Sequence, residues 1–122
     1  MPFGNVLAVD VEIAFTGVPV SRLAAGRDFF ERVLGRAADV EVAANEVMWC
    51  LSERAWLYVV ADPGRAGHGL VSLSVADLDA ALGELASRDV VPVRTEVVGD
   101  AGRKATLLDP DGNSVALLEV RS

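Results

Sequence analysis

The stretch Leu107-Leu108-Asp109-Pro110-Asp111-Gly112-Asn113-Ser114-Val115-Ala116-Leu117 decides how the rest of this sequence is read. Pro110 presets φ for a tight turn, Asp111 can hydrogen-bond its own backbone, and Gly112 tolerates the left-handed conformation that closes the turn. The apolar runs on either side, Lys104–Leu108 and Ser114–Val120, therefore read as two strands joined in a hairpin.

Working backwards, Val90–Val98 and Leu70–Val75 are further strand candidates. Between them Asp77 caps a helix whose Leu78, Ala81, Leu82 and Leu85 lie at helical spacing. The second half thus runs β-α-β-β-β. Ahead of it Asp62-Pro-Gly-Arg-Ala-Gly-His-Gly69 is dense in Gly and Pro and reads as a linker.

The first half repeats the order. Val6–Val20 is apolar and strand-like, with Val9, Val11, Ile13 and Phe15 alternating with Asp10, Glu12, Ala14 and Thr16. Pro19 places this strand near a sheet edge or at its end. Ser21 reads as the N-cap of a helix over Arg22–Leu34, and Gly35 stops it. Strands are expected at Val40–Ala44, Val47–Leu51 and Trp56–Ala61, joined by turns at Asn45-Glu46 and Ser52-Glu53-Arg54. Phe15–Val20 takes the place of Leu70–Val75, and Arg22-Leu23 that of Asp77-Leu78. The order of elements, more than residue identity, marks an internal duplication. The expectation is one α+β domain over residues 1–122, with a module at about 6–61, a linker at 62–69 and a second module at about 70–120.

Of the 122 residues, 52% are hydrophobic but only 6% aromatic, so the core is aliphatic, and all the aromatics precede residue 60. The net charge of -7 argues against nucleic-acid and membrane partners, because an acidic surface repels phosphates and anionic lipids. A single cysteine, Cys50, cannot form an internal disulfide, which fits a reducing compartment. No apolar run approaches the ~20 residues of a membrane span, and Met1–Asn5 has no signal-peptide pattern. A cytoplasmic location is expected.

With the duplicated β-α-β-β-β order, the Asp109-Pro-Asp-Gly112 hairpin closely resembles the last hairpin of vicinal-oxygen-chelate domains, the glyoxalase/bleomycin-resistance family. Phe29-Phe-Glu-Arg-Val-Leu-Gly35 resembles that family's helix ending, and the resemblance spans nearly the whole chain. It implies two βαβββ modules forming an incomplete barrel around a cavity. It also implies a homodimer and, in many members, a divalent metal held by four strand residues.

Matched onto this sequence, those ligand positions fall on Phe15, on Trp56–Val59, on Leu70 and on Ala116. None offers a carboxylate, imidazole or thiol. The resemblance therefore implies a domain without a metal cofactor, and it weighs against the family's metal-dependent isomerisations and ring cleavages.

Other residues qualify as ligand contacts. His68 is two residues before Leu70 and shares its face if the strand extends that far; otherwise it is a solvated linker residue. Ser72 and Ser74, on the Leu70 face, suit a cavity with a few polar groups or simply a wet surface. Trp49, Trp56 and Tyr58 form an aromatic wall or, equally, core and dimer contacts. Leu118 is expected to line the cavity beside Ala116. Cys50 reads as a small hydrophobe, Asp10 and Glu12 as a solvated carboxylate pair, and Arg103-Lys104 as surface charge.

Three functional readings follow. The first is a small-molecule binder without catalysis; metal-free relatives include proteins that sequester bleomycin-type antibiotics, and acidity with aromatic rings suits a cationic, partly aromatic ligand. The second is an enzyme of the same fold using His68, Tyr58 or a carboxylate. The third is a structural or regulatory dimer.

Overall fold

The computed structural model describes residues 9–100 and 102–120. In chain order the elements are β1 (Ala14–Val20), α1 (Leu23–Leu34), β2 (Val40–Ala43), β3 (Glu46–Ser52), β4 (Ala55–Ala61), β5 (Leu70–Ser74), α2 (Leu78–Ser87), β6 (Arg94–Val98), β7 (Gly102–Leu108) and β8 (Ser114–Val120). They form two four-stranded sheets, ordered β1-β4-β3-β2 and β5-β8-β7-β6. In each, the first strand runs parallel to the last and the other neighbours are antiparallel. This is the duplicated βαβββ arrangement, α+β, with no closed barrel.

Strand alternation sends one set of side chains under the helices. Val18 and Val20 of β1, Val47 and Trp49 of β3, Leu57 and Val59 of β4, and Val115 and Leu117 of β8 are buried there with Phe29, Phe30, Leu78 and Leu85. Removing a side chain such as Phe30 or Leu57 wholly from water stabilises the fold by about 1.5–3 kcal/mol each. Gly26 lets α1 press onto β1, since a Cβ there would come 2.7 Å from Cγ1 of Val20. The two helices lie on the same side of the paired sheets: the Arg88 guanidinium of α2 donates through Nε to the Arg32 carbonyl of α1, 2.6 Å away. Among the described residues no helix is long and apolar enough to cross a membrane.

Both helix ends at Gly35 and Asp77 match the sequence expectation. Gly35 adopts φ 76° and its N–H reaches the Glu31 carbonyl at 2.8 Å, while the Asp77 carboxylate accepts from the Ala80 N–H at 3.0 Å. Three expectations are corrected. The first strand begins at Ala14; Val9–Ile13 has no strand partner among the described residues, and the expected Val6–Ala8 portion lies outside them. Arg22, not Ser21, is the N-cap of α1, because the Ser21 hydroxyl and N–H are turned to the Asp111 carboxylate at 2.5 and 3.0 Å. The strand expected over Val90–Val98 shrinks to β6: the Val90 N–H instead closes α2 on the Leu85 carbonyl, and Pro92 has no N–H to give a ladder.

Arg103 is also more than surface charge. It bonds Asp79 at 3.1 Å and Glu119 at 3.5 Å, and Glu119 in turn accepts the Leu78 N–H at 2.8 Å, fastening α2 to its sheet. The Asp79 hydrogen bond, followed by its charge, holds the Arg103 pKa above its ordinary value.

Candidate ligand-binding face

The other face of the sheets is free of helices. Cross-strand register puts Phe15 beside Trp56, Gly17 beside Tyr58, and Cys50 and Met48 beside the same two aromatics. In the second sheet it puts Leu70 beside Ser114, Ser72 beside Ala116 and Ser74 beside Leu118. Eight of the ten residues singled out from sequence thus share this surface: Phe15, Trp56, Tyr58, Leu70, Ser72, Ser74, Ala116 and Leu118. Phe15 is 55% exposed and Leu70 85%, whereas Trp56 and Tyr58 are half-buried and Ala116 is buried.

The Tyr58 ring does not stand upright. Its distal atoms occupy the space a side chain at residue 17 would need, so the phenol lies along the sheet across Gly17. The result is an aromatic floor with an open side. Towards the outer edge Glu96 pairs with Lys104 at 3.4 Å and Arg94 at 3.6 Å. The Cys50 thiol donates to the Ser52 carbonyl at 3.3 Å. Beside it Asp39 accepts from the Arg36 guanidinium at 2.8 Å and from the Cys50 N–H at 2.7 Å, and these two bonds, the guanidinium's first, hold its carboxyl below the usual aspartate range.

Two expected contacts are corrected. Trp49 is not part of the aromatic wall: it is 0% exposed, paired in register with Leu57 on the helix-covered face, with its ring 6.3 Å from that of Phe30. Its indole N–H donates to the Arg36 carbonyl at 3.0 Å, satisfying its one polar atom. His68 does not join the Leu70 face, because β5 starts only at Leu70; it sits exposed in the linker near Pro19 and Arg65. The sequence could not separate Trp49 from Trp56, since adjacent strands of odd and even phase look alike until the hairpin register is set.

Of the metal positions implied by the resemblance, Phe15, Leu70, Ala116 and, from Trp56–Val59, Trp56 and Tyr58 lie on this face. Their side chains are hydrocarbon, indole and phenol, a set that does not fit a divalent cation. Among the described residues no three His, Cys, Asp or Glu side chains are grouped to hold a metal ion.

Sequence reasoning missed a second feature. A cleft of about 510 Å³ opens between the modules, walled by Leu34 of α1, Leu51 and Ala55 beside the β3–β4 turn, Ser74 of β5, and Leu85 and Arg88 of α2. Ser72 and Ser74 border it as well as the helix-free face. Six separate elements build it, Leu117 of β8 included, so no local pattern announces it.

The family model of the Glyoxalase/Bleomycin resistance protein/Dioxygenase superfamily matches residues 12–117. Among solved structures, a glyoxalase/bleomycin resistance protein from Catenulispora acidiphila DSM 44928 is 36% identical, with 89% of this chain and 98% of that one covered and a TM-score of 0.85. An antibiotic-binding protein from Streptomyces sp. CB03234 is 24% identical over 96% of this chain and 100% of its own, TM-score 0.70. A bleomycin-binding protein solved with bleomycin is 22% identical over 88% and 98%, TM-score 0.70; both of these show likeness of fold. Among curated proteins, none matches the chain. With nearly the whole chain matched, duplicated module and terminal hairpin included, the chain belongs to the glyoxalase/bleomycin resistance protein/dioxygenase superfamily.

Proposed function

We propose that this protein binds a small aromatic or cationic molecule on its helix-free face, without a metal and without catalysis. The observation that carries this reading is the set of rings at Phe15, Trp56 and Tyr58, neighbours on a surface that no other element among the described residues covers. Flat rings offer stacking and cation–π contact, and the net charge of -7 draws a cation towards them. Two neighbours of the same fold are described as binding bleomycin and an antibiotic. A monomer seldom leaves so much apolar surface in water. A second copy of the chain covers the face, in a homodimer, and closes the ligand between the two; the cytoplasm is the proposed location.

Tryptophan fluorescence tests the reading directly, because Trp49 is sealed in the core and only Trp56 borders the face. Bleomycin titrated into the protein should quench emission saturably, and the quenching should vanish in Trp56→Phe. Absence of saturable quenching by bleomycin and by other cationic aromatics would overturn it. Light scattering tests the dimer, which a monomeric mass at micromolar concentration would refute.

A further inference from the structure

The seam between the modules has two unequal ends. At one, Pro19 near the finish of β1 and Gly69 just before β5 line one small pocket; at the other, Ala55, register partner of Ala14, and Ser74 at the finish of β5 line a larger cleft. The first end is closed by Asn113, which is 0% exposed. Its Nδ2 donates to the Pro19 carbonyl at 2.8 Å, and its Oδ1 accepts from the N–H groups of Gly67 and Gly69 at 3.1 and 2.7 Å.

The duplication identifies the counterpart of this residue. Phe15 and Leu70 occupy the same place in the two modules, and their register partners are Trp56 and Ser114. The residue before each partner is Ala55 in one module and Asn113 in the other. By the same match Ser74 stands where Pro19 stands. The Ser74 backbone is turned to the seam: the Val75 N–H points to β8, donating to the Leu118 carbonyl at 2.7 Å, and successive residues of a strand aim their backbone groups at opposite edges. An alanine methyl cannot reach across as the Asn113 amide does. The 510 Å³ cleft lies at that place.

We propose that this cleft is a second binding site, for a small neutral molecule with an apolar body and an N–H donor. The donor takes the place at the Ser74 carbonyl that the Asn113 amide takes at the Pro19 carbonyl. The body packs against Leu34, Leu51 and Leu85. The volume falls within the roughly 300–1,000 Å³ of ordinary ligand pockets. The ligand is neutral because the charged groups at the rim are engaged: Arg88 donates to the Arg32 carbonyl at 2.6 Å and lies 3.9 Å from Glu84. This site touches the helix-free face at Ser72 and Ser74 but is not lined by Phe15, Trp56 or Tyr58, and it does not depend on the function proposed for that face.

Benzamide serves as the probe, titrated into the full chain and followed by amide NMR shifts. Saturable shifts are expected around Leu51–Ala55, Ser72–Val75 and the inner side of α2. Ala55→Asn should close the seam as Asn113 does, raising the unfolding midpoint by several degrees and weakening benzamide on the order of tenfold or more, a change of about 1.4 kcal/mol. Ala81→Phe fills the cleft from the α2 wall and should abolish the shifts independently. Toluene, which lacks the donor, should bind more weakly than benzamide. Shifts centred on Trp56 and Tyr58, no saturable shifts, equal binding of toluene, or unchanged binding in Ala81→Phe would each overturn the proposal.

Discussion

The phenol of Tyr58 rests where a side chain at Gly17 would be: a Cβ on residue 17 would stand 2.3 Å from Cζ and 2.4 Å from the hydroxyl oxygen of Tyr58. The two residues are paired directly across β1 and β4. Gly17→Ala must therefore lift the ring. The clashing atoms are the far end of a half-buried side chain that can swing away, so the loss read by urea denaturation should be no more than about 1 kcal/mol, while any ligand stacked on the aromatic floor should bind more weakly. Unchanged stability together with unchanged Tyr58 ring shifts would show that the ring has no fixed seat.

Asn113 joins the terminal hairpin, the linker and β1. In Asn113→Ala the Pro19 carbonyl and the N–H groups of Gly67 and Gly69, all on half-buried residues, lose their partner. A fall of about 1–3 kcal/mol in unfolding free energy is expected, with the denaturant slope unchanged. A loss below about 1 kcal/mol would mean that water replaces the amide.

Ser21 and Asp111 hold the modules together; Ser21 does not cap α1. A double-mutant cycle on Ser21→Ala and Asp111→Ala should give a coupling energy within the roughly 0.5–3 kcal/mol seen for contacting residues. Zero coupling would return Ser21 to an independent role. Asp77→Ala, by contrast, removes a true N-cap and should cost about 1 kcal/mol.

Asp39 reports on acid stability. The Arg36 guanidinium and the Cys50 N–H lower its carboxyl pKa in the folded protein. A depressed acid contributes stability that is present above its unfolded value near ~4 and lost as pH falls through the folded value. Carboxyl NMR titration should place Asp39 below the ordinary aspartate value. Asp39→Asn should flatten the acid limb of the midpoint-versus-pH curve, and an unaltered limb would contradict the linkage.

The start of α2 and the terminal hairpin are legible in the sequence because their signals are local. Pro110, Gly112 and the Asp77 cap act within a few residues of themselves, and β8 starts and ends where the pattern says. Sequence and structure part where a residue has a local and a distant option. Ser21 had an N-cap available nearby and a carboxylate on the other module; the carboxylate won. Val9–Ile13 alternates like a strand but has no neighbour to pair with among the described residues.

The sequence by itself determined the duplicated βαβββ order, the helix ends at Gly35 and Asp77, and the want of metal donors at Phe15, Leu70 and Ala116. These depend on residue type and spacing along one chain. Only the tertiary structure decided that Trp49 is core while Trp56 and Tyr58 share an open face, because side alternates with every residue and the hairpin register sets the phase. It alone decided, too, that Asn113 seals one end of the seam while Ala55 leaves the other open. That difference depends on how far one side chain reaches across a gap between strands distant in sequence.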